Sequence, residues 1–443
     1  MLSPARIIVC GYIAVIFAGA LLLKTPLALR GAAPVPFLTA LFTSASATCV
    51  TGLAVVDAAR TWSLFGRVVI LCLIQIGGLG FMSVTTVFFF VFHKKINLSQ
   101  RLLLAQSMNL KDLQGVVRLI RHVLAGTLIF EAAGAAALST CFIPEFGFWD
   151  GLGMGAFHSV SAFCNAGIDL MGDKRPFSSL TAYSGDAVVM ITVALLVIVG
   201  GLGFFVWEDI WRNRRFGTLR LHSKVVLAVT FWLIAVSWLS FCLFEKGNPG
   251  TLGGMPWPRA ALVGLFQAVT PRSCGFCVLD QASLTGVSKM LTMVLMFIGG
   301  STGSTAGGIK NATAGVLFLS AVSSLRGKKR LSLFGRSVSE QQIVTALSIA
   351  VLAASVCLCG AAAIAAIQKD MPFSAILFES VSAVSICGLS QGITPDLAPA
   401  SIVILIVMIV FGRVGVMATG INAFLNRNVT DKTKRPEAWI LMG

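Results

Sequence analysis

Charge is what this 443-residue chain has least of: 12% of its residues are Asp, Glu, Lys or Arg, split into 18 acids and 34 bases, beside four histidines and two tyrosines. So thin an ionic surface excludes an ordinary soluble domain. Four histidines leave little from which to build a nucleophile and its base, which weighs against an intramembrane protease or a thiol oxidoreductase. The 11 cysteines include no CxxC pair followed by a second, so neither a disulfide nor a zinc framework is written in them; most sit in apolar runs, where cysteine is a small hydrophobe. GxxxxGK[ST] is missing too, and with it a nucleotide site on this chain.

Apolar residues are what the chain has in excess, at 56% with a mean hydropathy of +0.88, the composition of an integral membrane protein. Runs of ~20 apolar residues, the length that crosses a ~30 Å hydrocarbon core, begin near Ile7, Val68, Val123, Ala187, Val225, Met290, Ile343 and Ile402. Between the members of each pair lies a shorter apolar stretch, at 37–48, 151–163, 259–270 and 372–384, which reads as a re-entrant helix. The first 24 residues also have the look of a signal peptide, but the apolar run from Ile7 to Leu23 is long for one, and cleavage would remove a span.

Each short stretch ends in a small-residue tetrapeptide closed by glycine: Cys49-Val50-Thr51-Gly52, Cys164-Asn165-Ala166-Gly167, Arg272-Ser273-Cys274-Gly275 and Ser385-Ile386-Cys387-Gly388. The flanks agree as well, with Phe42-Thr-Ser-Ala-Ser, Phe157-His-Ser-Val-Ser, Phe266-Gln-Ala-Val-Thr and Phe378-Glu-Ser-Val-Ser, the third lying one residue nearer its glycine. The expected fold is therefore an all-α polytopic membrane protein of four tandem span, re-entrant helix, span units, eight transmembrane helices in pseudo-fourfold array around one pore. The repeats run over 1–100, 101–215, 216–330 and 331–443, the last including a cytoplasmic tail.

Basic residues give the orientation. Lys94, Lys95, Arg101, Lys111, Arg118 and Arg121, then Arg212, Arg214, Arg215, Arg220 and Lys224, then Arg326, Lys328, Lys329, Arg330 and Arg336 fill the three inter-repeat segments. Arg427, Lys432, Lys434 and Arg435 mark the tail. The positive-inside bias makes these segments and both termini cytoplasmic and puts the glycine tetrapeptides near the outer face. Topology accounts for the net charge of +16 without nucleic acid, and contacts with anionic lipid suit the same residues.

An alkali cation entering a membrane needs oxygens to replace its water, and extended backbone supplies successive carbonyls. Glycine allows the required angles and the close approach of chains. The four tetrapeptides fit such a filter, with K+ at the filter as the only metal expected; a four-thiolate site of Cys49, Cys164, Cys274 and Cys387 lacks known zinc spacing. Asp57, Asp169, Asp280 and Asp396 follow the glycines and would concentrate cations at the outer mouth. His158 and Glu379 hold one place in two re-entrant helices, as anchors to the filter or as a proton relay.

Lower in the pore, Gly299-Gly300-Ser301-Thr302-Gly303-Ser304-Thr305-Ala306-Gly307-Gly308, with Lys310 just beyond, interrupts the second span of repeat three. Glycine costs ~1 kcal/mol against alanine in a helix, so this is a loop, tolerated at membrane depth where it lines a cavity. Similar clusters at Gly77–Gly80, Gly200–Gly203 and Gly412–Gly415 read as packing or hinge points. Arg413 lies near the middle of an apolar span, where a charge is expensive unless it faces water or a partner, so it should face the pore.

In SATCVTGLAVVD (46–57), FHSVSAFCNAGIDL (157–170), FQAVTPRSCGF (266–276), GGSTGSTAGGIK (299–310) and FGRVG (411–415), the chain resembles the Trk/Ktr/HKT superfamily of potassium transporters, most closely the membrane subunit of bacterial Ktr uptake systems. The resemblance covers essentially the whole chain. It implies four potassium-channel-like units in a bacterial plasma membrane, potassium selectivity where all four filter glycines are present, and a gate at 299–310 that Arg413 assists. It further implies a homodimer and a cytoplasmic ring of nucleotide-binding subunits, so that nucleotide sits on the partner and this chain binds no cofactor. The rival class is a secondary symporter coupled to protons or sodium, which predicts inverted repeats and mid-membrane carboxylates.

Overall fold

Proline and glycine set where the helices start and stop. The computed structural model describes residues 4–31, 34–80, 116–173, 175–328 and 332–415. In chain order the principal helices are α1 (Pro4–Lys24), α2 (Phe37–Cys49), α3 (Leu64–Leu79), α4 (Val116–Phe146), α5 (Phe148–Phe163), α6 (Ala187–Leu202) and α7 (Phe204–Asn213). There follow α8 (Leu221–Glu245), α9 (Trp257–Val269), α10 (Gly286–Phe297), α11 (Asn311–Leu325), α12 (Glu340–Ile367), α13 (Phe373–Ser385) and α14 (Pro399–Val410). A small antiparallel hairpin, β1 (Ser332–Leu333) with β2 (Arg336–Ser337), adds a minor β element between α11 and α12.

Each predicted span start lies in a helix, but the helices differ in length from the expected ~20 residues, and the later parts of the spans begun near Val68 and Ile402 lie outside the described residues. Among the described residues Arg121–Phe146, α8 and α12 are long and apolar enough to cross a membrane, and α6 with α7 makes a fourth, bent by 91°. Ile8–Lys24 of α1, α3, α10, α11 and Pro399–Val414 are shorter apolar stretches. Glycine accounts for several of these short lengths: Gly80 (φ 83°) caps α3, Gly203 (φ 93°) parts α6 from α7, and the glycine-rich segment ends α10. The basic residues Lys94, Lys95, Arg101, Lys111, Lys329, Arg330, Arg427, Lys432, Lys434 and Arg435 lie outside the described residues.

The four re-entrant candidates are α2, α5, α9 and α13, with 13, 16, 13 and 13 residues. At 1.5 Å per residue these reach about 20–24 Å, too short to span. Pro36, Pro256 and Pro372 precede three of them, and Gly147 at positive φ precedes α5. The helices after the first three return loops start on side-chain caps, Ser63 for α3 through Gly66 N–H, Asp186 for α6 through Val188 and Val189, and Thr285 for α10 through Ser288, while α14 starts on Pro399.

Packing repeats along with sequence. Ser44 in α2 donates to Ile16 O at 2.7 Å, and Ser159 at the matching place in α5 donates to Glu131 O at 2.7 Å. Gly19 and Gly134 make room for these two hydroxyls, since a Cβ on either would strike them. The interior is rich in hydroxyls and amides while Leu21, Leu128, Trp232, Leu239, Val351 and Val407 are exposed. So many large apolar side chains on the outside suit a lipid surround.

Candidate functional site

The short helices α2, α5, α9 and α13 deliver their tetrapeptides to one place. Two residues before each glycine the backbone turns left-handed, at Val50 (φ 62°), Asn165 (60°), Ser273 (64°) and Ile386 (54°). The glycines follow at 93°, 66°, 82° and 89°, with an ordinary residue between.

The glycines close a ring. A Cβ built on Gly52 would meet Ala166 O, on Gly167 Cys274 O, on Gly275 Cys387 O, and on Gly388 Thr51 O, every one at under 3.0 Å. Each glycine thus abuts the carbonyl preceding the next repeat's glycine, in the order one, two, three, four, one. Any side chain there would collide with the neighbouring strand.

A hydroxyl missing from the sequence-level site holds every strand. Ser46 Oγ accepts from Gly52 N at 3.0 Å and donates to Leu53 O at 2.8 Å. Ser161 Oγ donates to Ile168 O at 2.7 Å, Thr270 Oγ1 to Phe276 O, and Ser382 Oγ accepts from Gly388 N at 3.0 Å. Backbone turns accompany them: Thr51 N to Ser46 O, Ala166 N to Ser161 O and Cys387 N to Ser382 O. In repeat three the turn is one residue tighter, Cys274 N to Thr270 O, which absorbs its missing residue. The signal was visible as the Ser or Thr that ends all four flanking motifs.

Three tetrapeptide side chains, those of Arg272, Cys164 and Cys387, bond to groups outside their own strands, and Ser273 Oγ donates to Ser385 O of the neighbouring strand at 3.3 Å. Arg272 Nη2 and Asn311 Nδ2 both donate to Thr230 Oγ1, at 3.2 and 3.1 Å. Cys164 Sγ donates to Gln75 Oε1 at 3.2 Å, and Cys387 Sγ to Pro271 O at 3.3 Å. Gln75 Nε2 in turn donates to Glu131 Oε2 at 2.9 Å, a buried carboxylate within α4 that the sequence reading passed over. His158 bonds Met154 O through Nδ1 at 2.8 Å and accepts from Leu170 N at Nε2, tying α5 to its return strand. Glu379 does likewise in repeat four, accepting from Ser390 Oγ, Gln391 N and Thr394 Oγ1, and in repeat three a Gln267–Gln281 pair stands there.

Three of the four acids bond through their side chains within or across the return loops. Asp57 accepts from Ala59 N and Arg60 N and, across to repeat two, from Phe177 N at 2.8 Å. Asp280 accepts from Ala282 N and Ser283 Oγ, Asp169 from Met171 N, and Asp396 closes a one-turn helix over Thr394–Asp396. Helix capping, by Asp57 and Asp280, is a structural duty that the spacing alone had not suggested.

Below the ring, Gly299–Gly308 forms a loop between α10 and α11. Its ends are clasped by Gly299 N to Ile309 O, Ile309 N to Phe297 O and Asn311 N to Gly300 O. Thr305 Oγ1 reaches Phe163 O at 3.2 Å, the last residue of α5. Arg413, buried in the π-helical turn Phe411–Gly415, donates from Nη1 to Thr305 O at 2.8 Å and from Nη2 to Gly77 O. Lys310 Nζ folds back onto Ala306 O at 2.8 Å. Between loop and ring a cavity of about 10 Å³, lined by Ala306–Gly308, Lys310, Ile386, Gly412 and Arg413, has room for about one water.

Helices of this apolarity, bringing four glycine strands together beside a glycine-rich loop, define a multi-pass membrane protein. The family of TrkH cation transport proteins matches residues 8–428, and the chain belongs to that family, whose members transport ions and are not enzymes. It is 37% identical to the potassium/sodium uptake protein NtpJ of Enterococcus hirae, over 100% of this chain and 98% of that protein. It is 39% identical to the Ktr system potassium uptake protein B of Bacillus subtilis, covering 93% of this chain and 91% of the other. The crystal structure of the potassium transporter TrkH from Vibrio parahaemolyticus shares the fold, with a TM-score of 0.74 at 18% identity over 97% of this chain and 85% of that one.

Proposed function

We propose that this protein takes potassium up across a bacterial plasma membrane through the ring of Gly52, Gly167, Gly275 and Gly388, with residues 49–52, 164–167, 272–275 and 385–388 as the filter. One observation carries the reading: each glycine abuts the backbone oxygen of the next strand, so that four strands close on one axis. Carbonyls held at fixed spacing replace an ion's water shell, and the membrane potential supplies ~2.3 kcal/mol per charge per 100 mV. The uptake proteins that it resembles carry potassium in their names. Loop 299–308, with Lys310 and Arg413, is the gate, and Asp57, Asp169, Asp280 and Asp396 add negative potential at the entrance.

On this reading the four units, 1–100, 101–215, 216–330 and 331–443, give eight passes with both termini in the cytoplasm, and two copies pair with one pore each. The "Ktr system" in the relatives' names supports a multi-subunit assembly, and a cytoplasmic nucleotide-binding ring is its regulator. Rubidium uptake into proteoliposomes tests the core of it: Gly52→Ser should lose discrimination against sodium, whereas unchanged selectivity removes the filter assignment. A coupled symporter has one observation on its side, the buried Glu131 beside Gln75 and Cys164. Uptake that follows an imposed proton or sodium gradient, and ceases to do so in Glu131→Gln, would favour it.

A further inference from the structure

The bonds that seat the glycine-rich loop on the second repeat use groups that a straight helix would join to each other. α6 stops at Leu202, α7 starts at Phe204, and Gly203 between them has φ 93°. In an unbroken helix Phe204 N–H would donate to Gly200 O and Phe205 N–H to Gly201 O, the pairing of residue i with i−4. Instead Gly200 O accepts from Thr305 N at 3.4 Å, Gly201 O from Ser301 N at 2.9 Å, and Phe204 N donates to Gly303 O at 2.8 Å. The loop takes both carbonyls and gives back an acceptor for the first displaced N–H.

Buried backbone groups must be paired at membrane depth, so the bend at Gly203 and the seated loop satisfy each other's orphans. We infer that α6–α7 is a two-state element, bent while loop 299–308 is docked and continuous once it withdraws, the loop's three bonds being exchanged for the helix's own. In the withdrawn state the helix pairs its own groups, and the freed Ser301 N–H, Thr305 N–H and Gly303 O turn to the water of the opened path, so no buried group is left without a partner by the exchange. Gly203 makes the bent state accessible: its backbone angle suits glycine, and a Cβ there would meet Thr302 O at 2.9 Å. The far end of α7 is tied onward, since Asp209 accepts from Arg220 N at 2.9 Å just before α8. A swing of α7 therefore moves the basic segment 212–220.

The inference rests on the reading that the loop obstructs the pore, and a distance measurement separates the two. Nitroxides carried on noncanonical residues at the exposed positions Val188 and Trp211 leave the native cysteines unlabelled. With 1.5 Å per residue and a right-angle bend the labelled backbones lie about 26 Å apart, against about 35 Å in a straight helix. The full chain in proteoliposomes should give the short distance. Deletion of Ser301–Thr305 and, without shortening the chain, Gly203→Ala and Ser301→Pro should each populate the long one and raise rubidium uptake. The short distance retained in all three variants overturns the exchange, whatever happens to flux. A lengthened distance with flux no higher upholds the exchange and removes the gate reading.

Discussion

At the scale of single residues, the ring is held by small groups whose importance comes from position. The hydroxyls of Ser46, Ser161, Thr270 and Ser382 link each re-entrant helix to its strand, at the glycine N–H or at the carbonyl of the residue after it. A net hydrogen bond contributes about 1 kcal/mol, roughly a fivefold change in an equilibrium. Ser382→Ala and Ser46→Ala should therefore cost several-fold in rubidium over sodium preference, while Ser→Thr at either place keeps it, as Thr270 does in repeat three. Competition uptake assays check this. Gly77→Ala acts on stability instead: its Cβ would meet Thr48 O at under 3.0 Å, backbone that cannot yield as a flexible side chain would. Its melting temperature in detergent should fall by several degrees. The glycines and the Ser/Thr positions were legible because they recur four times. Asp57 as a cap reaching Phe177, and Gln75 meeting Glu131, were not, since those partners lie 120 and 56 positions apart.

At the scale of elements, one motif has three outcomes. Gly77–Gly80 ends a helix, Gly200–Gly203 bends a helix by 91°, and Gly412–Gly415 lies in a π turn. Glycine permits each of these conformations and chooses none; the neighbour that offers hydrogen bonds decides. For repeat two that neighbour is the loop of repeat three, a partner that no local pattern reveals. The loop itself was legible, because five glycines in ten residues cannot sustain a helix. So was the demand on Arg413, whose charge at that depth requires a partner. It donates to Thr305 O in the loop and Gly77 O in α3, joining three repeats. If these bonds hold the loop in place, Arg413→Ala shifts it toward release by about 2 kcal/mol, roughly thirtyfold in the open population. Initial rates of rubidium uptake should rise, and Arg413→Lys, which keeps the charge but loses the fork that serves two carbonyls, should fall between. A lower rate in a properly folded Arg413→Ala protein would show the residue assisting conduction.

Over the whole molecule, the ring draws its strands from positions 52, 167, 275 and 388, so nearly the full length of chain must be in place before one site exists. Repeats one and two are further tied through their connecting loops, where Arg30 pairs with Asp173 at 2.6 Å and Asp57 holds Phe177 N. An ion bound at the centre would interact with the native arrangement and would have no equivalent site in the unfolded chain. Linkage then stabilises the native state by RT ln(1 + [ion]/Kd), about 2.7 kcal/mol at a hundredfold excess over Kd. Potassium should raise the melting temperature of the detergent-solubilised protein by a few degrees relative to choline at equal ionic strength, and sodium should do so less. The comparison holds screening constant, so the difference reports site occupancy. In Gly388→Ser the added side chain would crowd Thr51 O, and the potassium-specific increment should vanish even where the protein still melts cooperatively. Equal melting temperatures in potassium, sodium and choline for the unaltered protein would mean that the four strands hold their places without an ion, and that the ring is a packing device.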